Sequence, residues 1–349
     1  MKKIFIDKVE FEITRKIAIG GMGAVYEALQ KGVRGFAKTV AIKTILQEFS
    51  SDKHFVEDFV SEAMLVANLV HENIVQIYQL GKYQRDYYFV LEYVDGISLH
   101  DFMDMHLKLK SRLPVKLAVF IASRIARGLA YAHARKDKNG ESMNIVHCDV
   151  CSHNILINTE GVPKLTDFGI ARANVRNQDK NGISGKLPFV SPEQVKPDCF
   201  LDFRSDMYSL GVVLFFMLTG EFPRGLSQSL KDIVSDIKNN NIRWNMLPED
   251  IDDELKELLQ TMMALEPDDR FQDTAELARA LEYYIYKDGY GPTIVTLAEY
   301  MKNFLPGEFS ENSIVTDTFS TDVKLTDTFL GKTLKMDATQ ILQDRIPLD

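Results

Sequence analysis

The chain has 349 residues, a formal net charge of -9, 45% hydrophobic residues and 26% charged ones. That length allows two lobes and an appendage, the composition is that of a globular protein, and the acidic balance argues against a nucleic-acid partner or a basic membrane-surface patch. Three cysteines form no even framework, which points to a reducing compartment with the cytoplasm as the expected location.

The N-terminus, Met1 to Asp7, turns acidic too soon for a secretory leader. Residues 10–45 read as strands and turns. Phe11, Ile13, Ile17 and Ile19 fall on alternating positions, and Val40-Ala41-Ile42-Lys43 is a short β-rich run. Residues 53–69 carry Phe55, Phe59, Ala63, Leu65 and Leu69 near a 3.6-residue period and are expected to be helical. Tyr87 to Tyr93 reads as another strand. From about residue 98 the pattern turns mostly helical. Residues 114–135 form a long apolar-striped helix, 205–219 are apolar enough to be buried, and further helices fit 226–238, 251–265, 274–286 and 293–304. The most apolar run, Leu210 to Leu218, is far too short to span a membrane. Lys136 to Ser142 reads as a charged surface loop. After Pro306, eight acidic residues stand against four basic ones among many Ser and Thr, the composition of a mostly flexible tail. A small β-rich half followed by a larger helical half is an α+β, two-lobe layout.

Several segments carry chemistry. Gly20-Gly21-Met22-Gly23-Ala24-Val25-Tyr26 lies between two strand-like segments, where glycines let backbone N–H groups approach anionic oxygens; a purely structural hairpin reads the same way. Lys43 ends an apolar strand, as a charge aimed into a cleft or as an edge-strand charge. Glu62 follows 19 residues later on the amphipathic segment, as its partner or as a solvated helix face. His147-Cys148-Asp149-Val150-Cys151-Ser152-His153-Asn154 follows the long helix. Asp167-Phe168-Gly169 comes 18 residues after Asp149, and Ser191-Pro192-Glu193 comes 24 after Asp167. Asp206 and Arg270 complete the series.

In this fixed order the segments GGMGAVY, VAIK, HENIV, VLEYVDGISL, TDFGIA, SPEQ and RSDMYSLGVVL resemble the eukaryotic-like protein kinase superfamily, and within it the bacterial Ser/Thr kinases. The resemblance covers roughly residues 10–286. It implies a bilobal kinase fold, with a small β-rich lobe over about 10–92 and a larger helical lobe over about 97–286. Residues 287–305 would add a helix to the large lobe, and 306–349 would be a flexible or surface-docked tail. It further implies ATP as phosphoryl donor, Mg²⁺ or Mn²⁺ as the ion, and Ser or Thr of proteins as acceptors, autophosphorylation included. By the same resemblance Lys43 would hold the α- and β-phosphates and Glu62 would pair with it. Asp149 would orient the acceptor hydroxyl and take its proton. Asn154 and Asp167 would bind the metal. Ile17, Gly20, Gly21, Met22, Gly23, Val25, Ala41 and Leu156 would line the nucleotide site. Leu91 would be the gatekeeper, and Glu92, Tyr93 and Val94 the hinge that bonds adenine through the backbone. Glu193 and Arg270 would form a structural ion pair, and Asp206 would brace the catalytic loop.

The chain departs from the family pattern in places. Ala18 replaces the first glycine of the Gly-rich loop. Cys148 replaces the Arg that pairs with a phosphorylated activation loop, so activity is expected not to depend on a phosphate there. Cys151 replaces the Lys that neutralises the γ-phosphate. Where the family has Gly-Thr, this chain has Gly185-Lys186, and Lys186 is expected to supply the missing cation or else to be a solvent-facing loop Lys. His147, Cys148, Cys151 and His153 also admit a zinc or disulfide reading, against the simpler one of small side chains in a packed loop. The altered positions Ala18, Cys148, Cys151, Ser152 and Lys186 keep open a pseudokinase that binds nucleotide but transfers poorly. Small-molecule phosphotransfer is disfavoured by Ser191-Pro192-Glu193, which in the family shapes a peptide-docking surface. Finally, Thr-Asp-Thr-Phe occurs at 316–319 and again at 326–329. These repeats read as autophosphorylation sites, as a docking motif for a partner such as a phosphothreonine-reading module, or as a segment lying on the protein's own surface.

Overall fold

Alternating apolar residues draw the beginning of the chain into three antiparallel strands. They are β1 (Val9–Gly20), β2 (Gly23–Lys31) and β3 (Ala37–Ile45). The computed structural model describes residues 9–20, 23–45, 60, 66–83, 86–168, 187–196, 199, 201–224, 230–304 and 334–336. Two units divide the chain. The first holds Met1–Asn68, Gln76–Val94 and Ser310–Asp349, and the second holds Leu69–Val75 and Asp95–Phe309.

In the first unit, β4 (Ile77–Tyr83), β5 (Asp86–Glu92) and β9 (Leu334–Met336) complete an antiparallel sheet of order β4-β5-β3-β2-β1-β9. Directly opposite residues share a face, so the register sorts the side chains. Ala28 pairs with Val40, Tyr26 with Ile42 and Ile42 with Val90. Phe11, Ala28, Val40, Ile42, Tyr88 and Val90 form one buried cluster. The other face carries Val25 opposite Lys43, Lys43 opposite Phe89 and Ala41 opposite Leu91. The β1–β2 ladder shifts register between Lys16 and Ala18, which leaves Ile17 as the extra residue of a bulge.

The second unit is mostly helical. Among the described residues its α-helices are α1 (Leu99–Lys108), α2 (Val115–His133), α3 (Phe203–Thr219), α4 (Leu230–Lys238), α5 (Asp253–Met262), α6 (Thr274–Tyr286) and α7 (Ile294–Phe304). Carboxylates and hydroxyls cap them where the sequence changes from loop to apolar stripe. Ser98, Asp202, Asp252 and Asp273 each accept a backbone N–H of the first turn. Helix α3 ends at Gly220, whose φ of 74° closes the last turn. Every residue of α3 from Ser205 to Leu218 is buried, which is why its sequence lacks a polar stripe.

Two features escape the sequence pattern: β4 and a second sheet of β6 (Gly96–Ser98), β7 (Ile155–Asn158) and β8 (Pro163–Leu165). Strands of three or four residues are too short to show a period. The helix expected over 53–69 lies outside the described residues except for residue 60 and residues 66–69. Of the tail after Pro306, only Leu334–Met336 is among them.

Helix α7 packs back on α1. His106 bonds Phe102 O at 2.8 Å and the Tyr300 hydroxyl at 3.0 Å, and its ring stacks on Phe304 with centroids 3.9 Å apart. The β7–β8 turn meets α7 at Gly161, which has φ 80°; an added Cβ would sit 2.0 Å from Ile294 O and 2.7 Å from Ala298 N. Gly161→Ala is therefore expected to destabilise the unit by about 2 kcal/mol and to loosen α7. Thermal unfolding and proteolytic cleavage near Ile294 read both effects.

Candidate active site

The segment between α2 and β7 is held from three sides. Asp206, 1% exposed at the start of α3, accepts the backbone N–H of His147 at 2.7 Å and that of Cys148 at 2.8 Å. Its second neighbour is His133 on α2, whose Nε2 lies 2.9 Å from Oδ2, while Nδ1 lies 2.8 Å from the Thr274 hydroxyl. Cys148 adopts φ 62°, a left-handed conformation that costs a non-glycine residue about 1 kcal/mol. Asp206 on its N–H and the Gln194 amide on its carbonyl, at 2.9 Å, hold it there.

His147 uses both ring nitrogens. Nδ1 accepts the N–H of Asp149 at 3.2 Å, so Nε2 carries the proton donated to Thr166 O at 2.9 Å. Its ring packs on Phe168, centroids 4.5 Å apart. Thr166 N–H donates to Asn154 O at 2.9 Å. The Asn154 amide in turn donates to the Asp149 carbonyl at 2.8 Å and to Asp149 Oδ2 at 2.7 Å. Asp149, Asn154 and the residue before Asp167 are thus tied into one network. Asp167 itself has φ 65°. Leu156 follows on β7, half-buried.

His147 is committed through both nitrogens. His153 stacks on His100 with centroids 3.8 Å apart. Cys148 and Cys151 are buried thiols.

A buried ion pair anchors the segment that follows. Arg270 donates to both oxygens of Glu193, at 2.7 and 2.8 Å, and to the carbonyls of Arg204, Ala264 and Leu265. Ser205 donates to the same carboxylate at 2.6 Å. Burial alone would raise the Glu193 pKa, but the guanidinium and hydroxyl outweigh it and hold the carboxyl below its usual range.

The first unit, taken by itself, carries a group of the sequence-predicted residues. Val25, Ala41, Lys43 and Leu91 share the sheet face opposite the buried cluster. At the end of β5, the Glu92 N–H is already bonded to Gln76 O at 2.8 Å. The Tyr93 hydroxyl accepts Arg15 Nη2 at 2.9 Å, and Arg15 pairs with Glu27 at 2.7 Å. Gly20 and Gly23 close the β1–β2 hairpin as opposing residues. Gly21, Met22, Glu62 and Lys186 lie outside the described residues.

The sequence reading missed His133, Thr166, Gln194 and Ser205. Thr166, Gln194 and Ser205 lie within the quoted segments TDFGIA, SPEQ and RSDMYSLGVVL, but their partners, His147, the Cys148 carbonyl and Glu193, are distant in sequence, as are the Asp206 and Thr274 partners of His133.

Comparison with known proteins identifies the family. The protein kinase domain family matches residues 11–283. The chain belongs to the protein kinase family. A tyrosine-protein kinase of Myxococcus xanthus, MasK, is 32% identical over 306 residues, covering 87% of this chain and 47% of that protein. The serine/threonine-protein kinase PrkC of Bacillus subtilis is 35% identical over 241 residues, covering 67% and 35%. The chain therefore spans less than half the length of either relative. Among solved structures, the kinase domain of Mycobacterium tuberculosis PknI shares the fold, with a TM-score of 0.56 and 24% identity over 80% of this chain and 96% of that one. Both units thus belong to a bilobal kinase fold. No helix among the described residues is long and apolar enough to cross a membrane.

Proposed function

We propose that the protein transfers the γ-phosphoryl group of ATP to Ser or Thr hydroxyls of proteins, its own included. One observation carries this reading. The Asp149 carboxylate is positioned by the Asn154 amide, on a loop whose backbone Asp206 clamps at two successive N–H groups. Phosphoryl transfer needs an acceptor-orienting carboxylate that is fixed before the substrate arrives, and this network fixes one. Asp149 accepts the hydroxyl proton in this reading. Lys43 neutralises the α- and β-phosphates with Glu62 as its partner. Ile17, Gly20, Gly21, Met22, Gly23, Val25, Ala41 and Leu156 surround the nucleotide. With the Glu92 N–H committed to Gln76, adenine is bonded through the Glu92 carbonyl and Val94.

Asn154 spends its NH₂ on Asp149, so its amide offers a cation only its oxygen end. With the Asp167 carboxylate this makes an oxygen-only donor set, which fits Mg²⁺ or Mn²⁺ completed by phosphate and water. Such an ion supplies charge neutralisation on the transferring phosphate. Lys186 adds the cation that Cys151 does not provide.

The test is transfer of label from γ-labelled ATP to Ser, Thr and Tyr peptides in parallel. The Tyr arm is included because one relative is named a tyrosine kinase. Label on Ser and Thr peptides is expected; label confined to Tyr would overturn the acceptor assignment. Lys186→Ala is expected to lower kcat about a hundredfold with little change in KM for ATP. A loss no greater than that of an exposed-Lys control removes Lys186 from the site.

A further inference from the structure

The second unit holds a cavity of about 190 Å³ between the loop ahead of β4, helix α2, the β7–β8 turn and the start of α7. It is several times the roughly 30 Å³ of one water, yet smaller than the roughly 300–1,000 Å³ of sites for drug-sized molecules. Phe120, Val162, Tyr286 and Ile294 give it an apolar lining. Asn73 and Arg124 line it too, and each holds a buried side-chain atom, Asn73 Oδ1 and Arg124 Nε, with no hydrogen-bond partner among the described residues. One atom is an acceptor and the other a donor. Buried polar groups in folded proteins are nearly always paired, so both call for a partner from outside the chain.

Both side chains are fixed in place. Asn73 is 1% exposed; its Nδ2 donates to Pro163 O at 2.9 Å, and its carbonyl accepts the Leu165 N–H at 2.8 Å. The Nδ2 bond also decides which end of the amide is Oδ1, since the reverse would set two oxygens face to face. Arg124 Nη2 donates to Glu282 at 2.6 Å, and the guanidinium lies over the Phe120 ring, 5.1 Å from its centroid. The walls are pinned as well. The Tyr286 hydroxyl donates to Pro292 O at 2.7 Å, and Thr293 and Thr296 each donate a backbone N–H to the other's hydroxyl at 3.2 and 3.3 Å.

These groups choose the chemistry of the ligand. A carboxylate has no proton for Asn73 Oδ1, Arg124 is already paired with Glu282, and the Glu72 carboxylate lines the same cavity. A secondary amide supplies a donor and an acceptor from one planar unit, pointing in opposite directions. Asn73 and Arg124 stand on different elements and can take one each. We propose that this cavity binds a secondary amide carried on a small branched apolar group. The ligand N–H donates to Asn73 Oδ1, Arg124 Nε donates to the ligand carbonyl, and the apolar group rests on Phe120, Val162 and Ile294. A residue of a bound peptide and a free small amide share this chemistry. The site uses neither Asp149 nor a nucleotide, so it stands independently of the kinase reading.

The test is a ligand-observed NMR titration of the full chain with N-methylisovaleramide, beside methyl isovalerate, which keeps the carbonyl and the outline but has no N–H. The amide is expected to saturate with a Kd of order millimolar, and the ester to bind about tenfold more weakly. Arg124→Lys keeps a cation for Glu282 but has no Nε, and is expected to weaken amide binding about tenfold. Ile294→Trp, at a position 43% exposed, fills the cavity and is expected to bring binding below detection; it decides the matter if Arg124→Lys does not fold. Amide and ester binding alike, no saturation by about 50 mM, or unchanged binding in either substituted protein overturns the proposal. Water alone in the cavity of a crystal soaked with the amide overturns it too. A second arm with N-acetyl-leucine N-methylamide separates the sources. Binding of this capped residue supports the site as one for a peptide, and binding of the small amide alone supports it as one for a free ligand.

Discussion

Asp149→Asn is expected to lower phosphoryl transfer about a thousandfold, with KM for ATP nearly unchanged and no loss of thermal stability. The substitution keeps the shape of the side chain and removes its ability to accept a proton. Asn154 retains its bond to the residue-149 carbonyl, and Asp206 retains its clamp on the loop, because both act on the backbone. Structure and chemistry are therefore separable at this position. Steady-state kinetics on a Ser or Thr peptide, with the unfolding temperature measured in parallel, decide it. A kcat within tenfold of the unsubstituted protein would remove Asp149 from the role of proton acceptor.

Arg270→Ala should be the most damaging change outside the loop, costing about 3–5 kcal/mol of stability. It strips both charge-assisted bonds from a Glu193 carboxylate that is 4% exposed and leaves three backbone carbonyls without their donor. Replacing Glu193 as well, with Gln, is expected to recover part of the loss, since the buried charge then disappears with its partner. The pair also predicts a pH dependence. Because the Glu193 pKa is held below its unfolded value, its contribution is fully present above the ordinary carboxylate pKa and is lost as pH falls through the depressed one. Chemical denaturation at neutral pH and in acid would show the gap between the unsubstituted protein and Arg270→Ala narrowing in acid. A constant gap would mean the cost comes from packing and the carbonyl bonds instead.

What the sequence determined by itself was the order of chemical parts and the long, periodic elements. Alternation over residues 10–45 and the apolar stripe of 274–286 are local properties, set by side chains a few positions apart, and both appear where the pattern places them. The Glu193–Arg270 pair and the bracing by Asp206 were legible through the family resemblance of their segments rather than from spacing. Tertiary structure alone decided which distant groups complete each residue. Only packing brings His133 to Asp206, Thr274 to His133, Gln194 to the Cys148 carbonyl and Gly161 against the backbone of α7. It also decided the pairing of a three-residue strand near the end of the chain with the first strand. A hydrogen bond between residues far apart in sequence leaves no periodic trace, because its free energy depends on where the fold has already carried both partners.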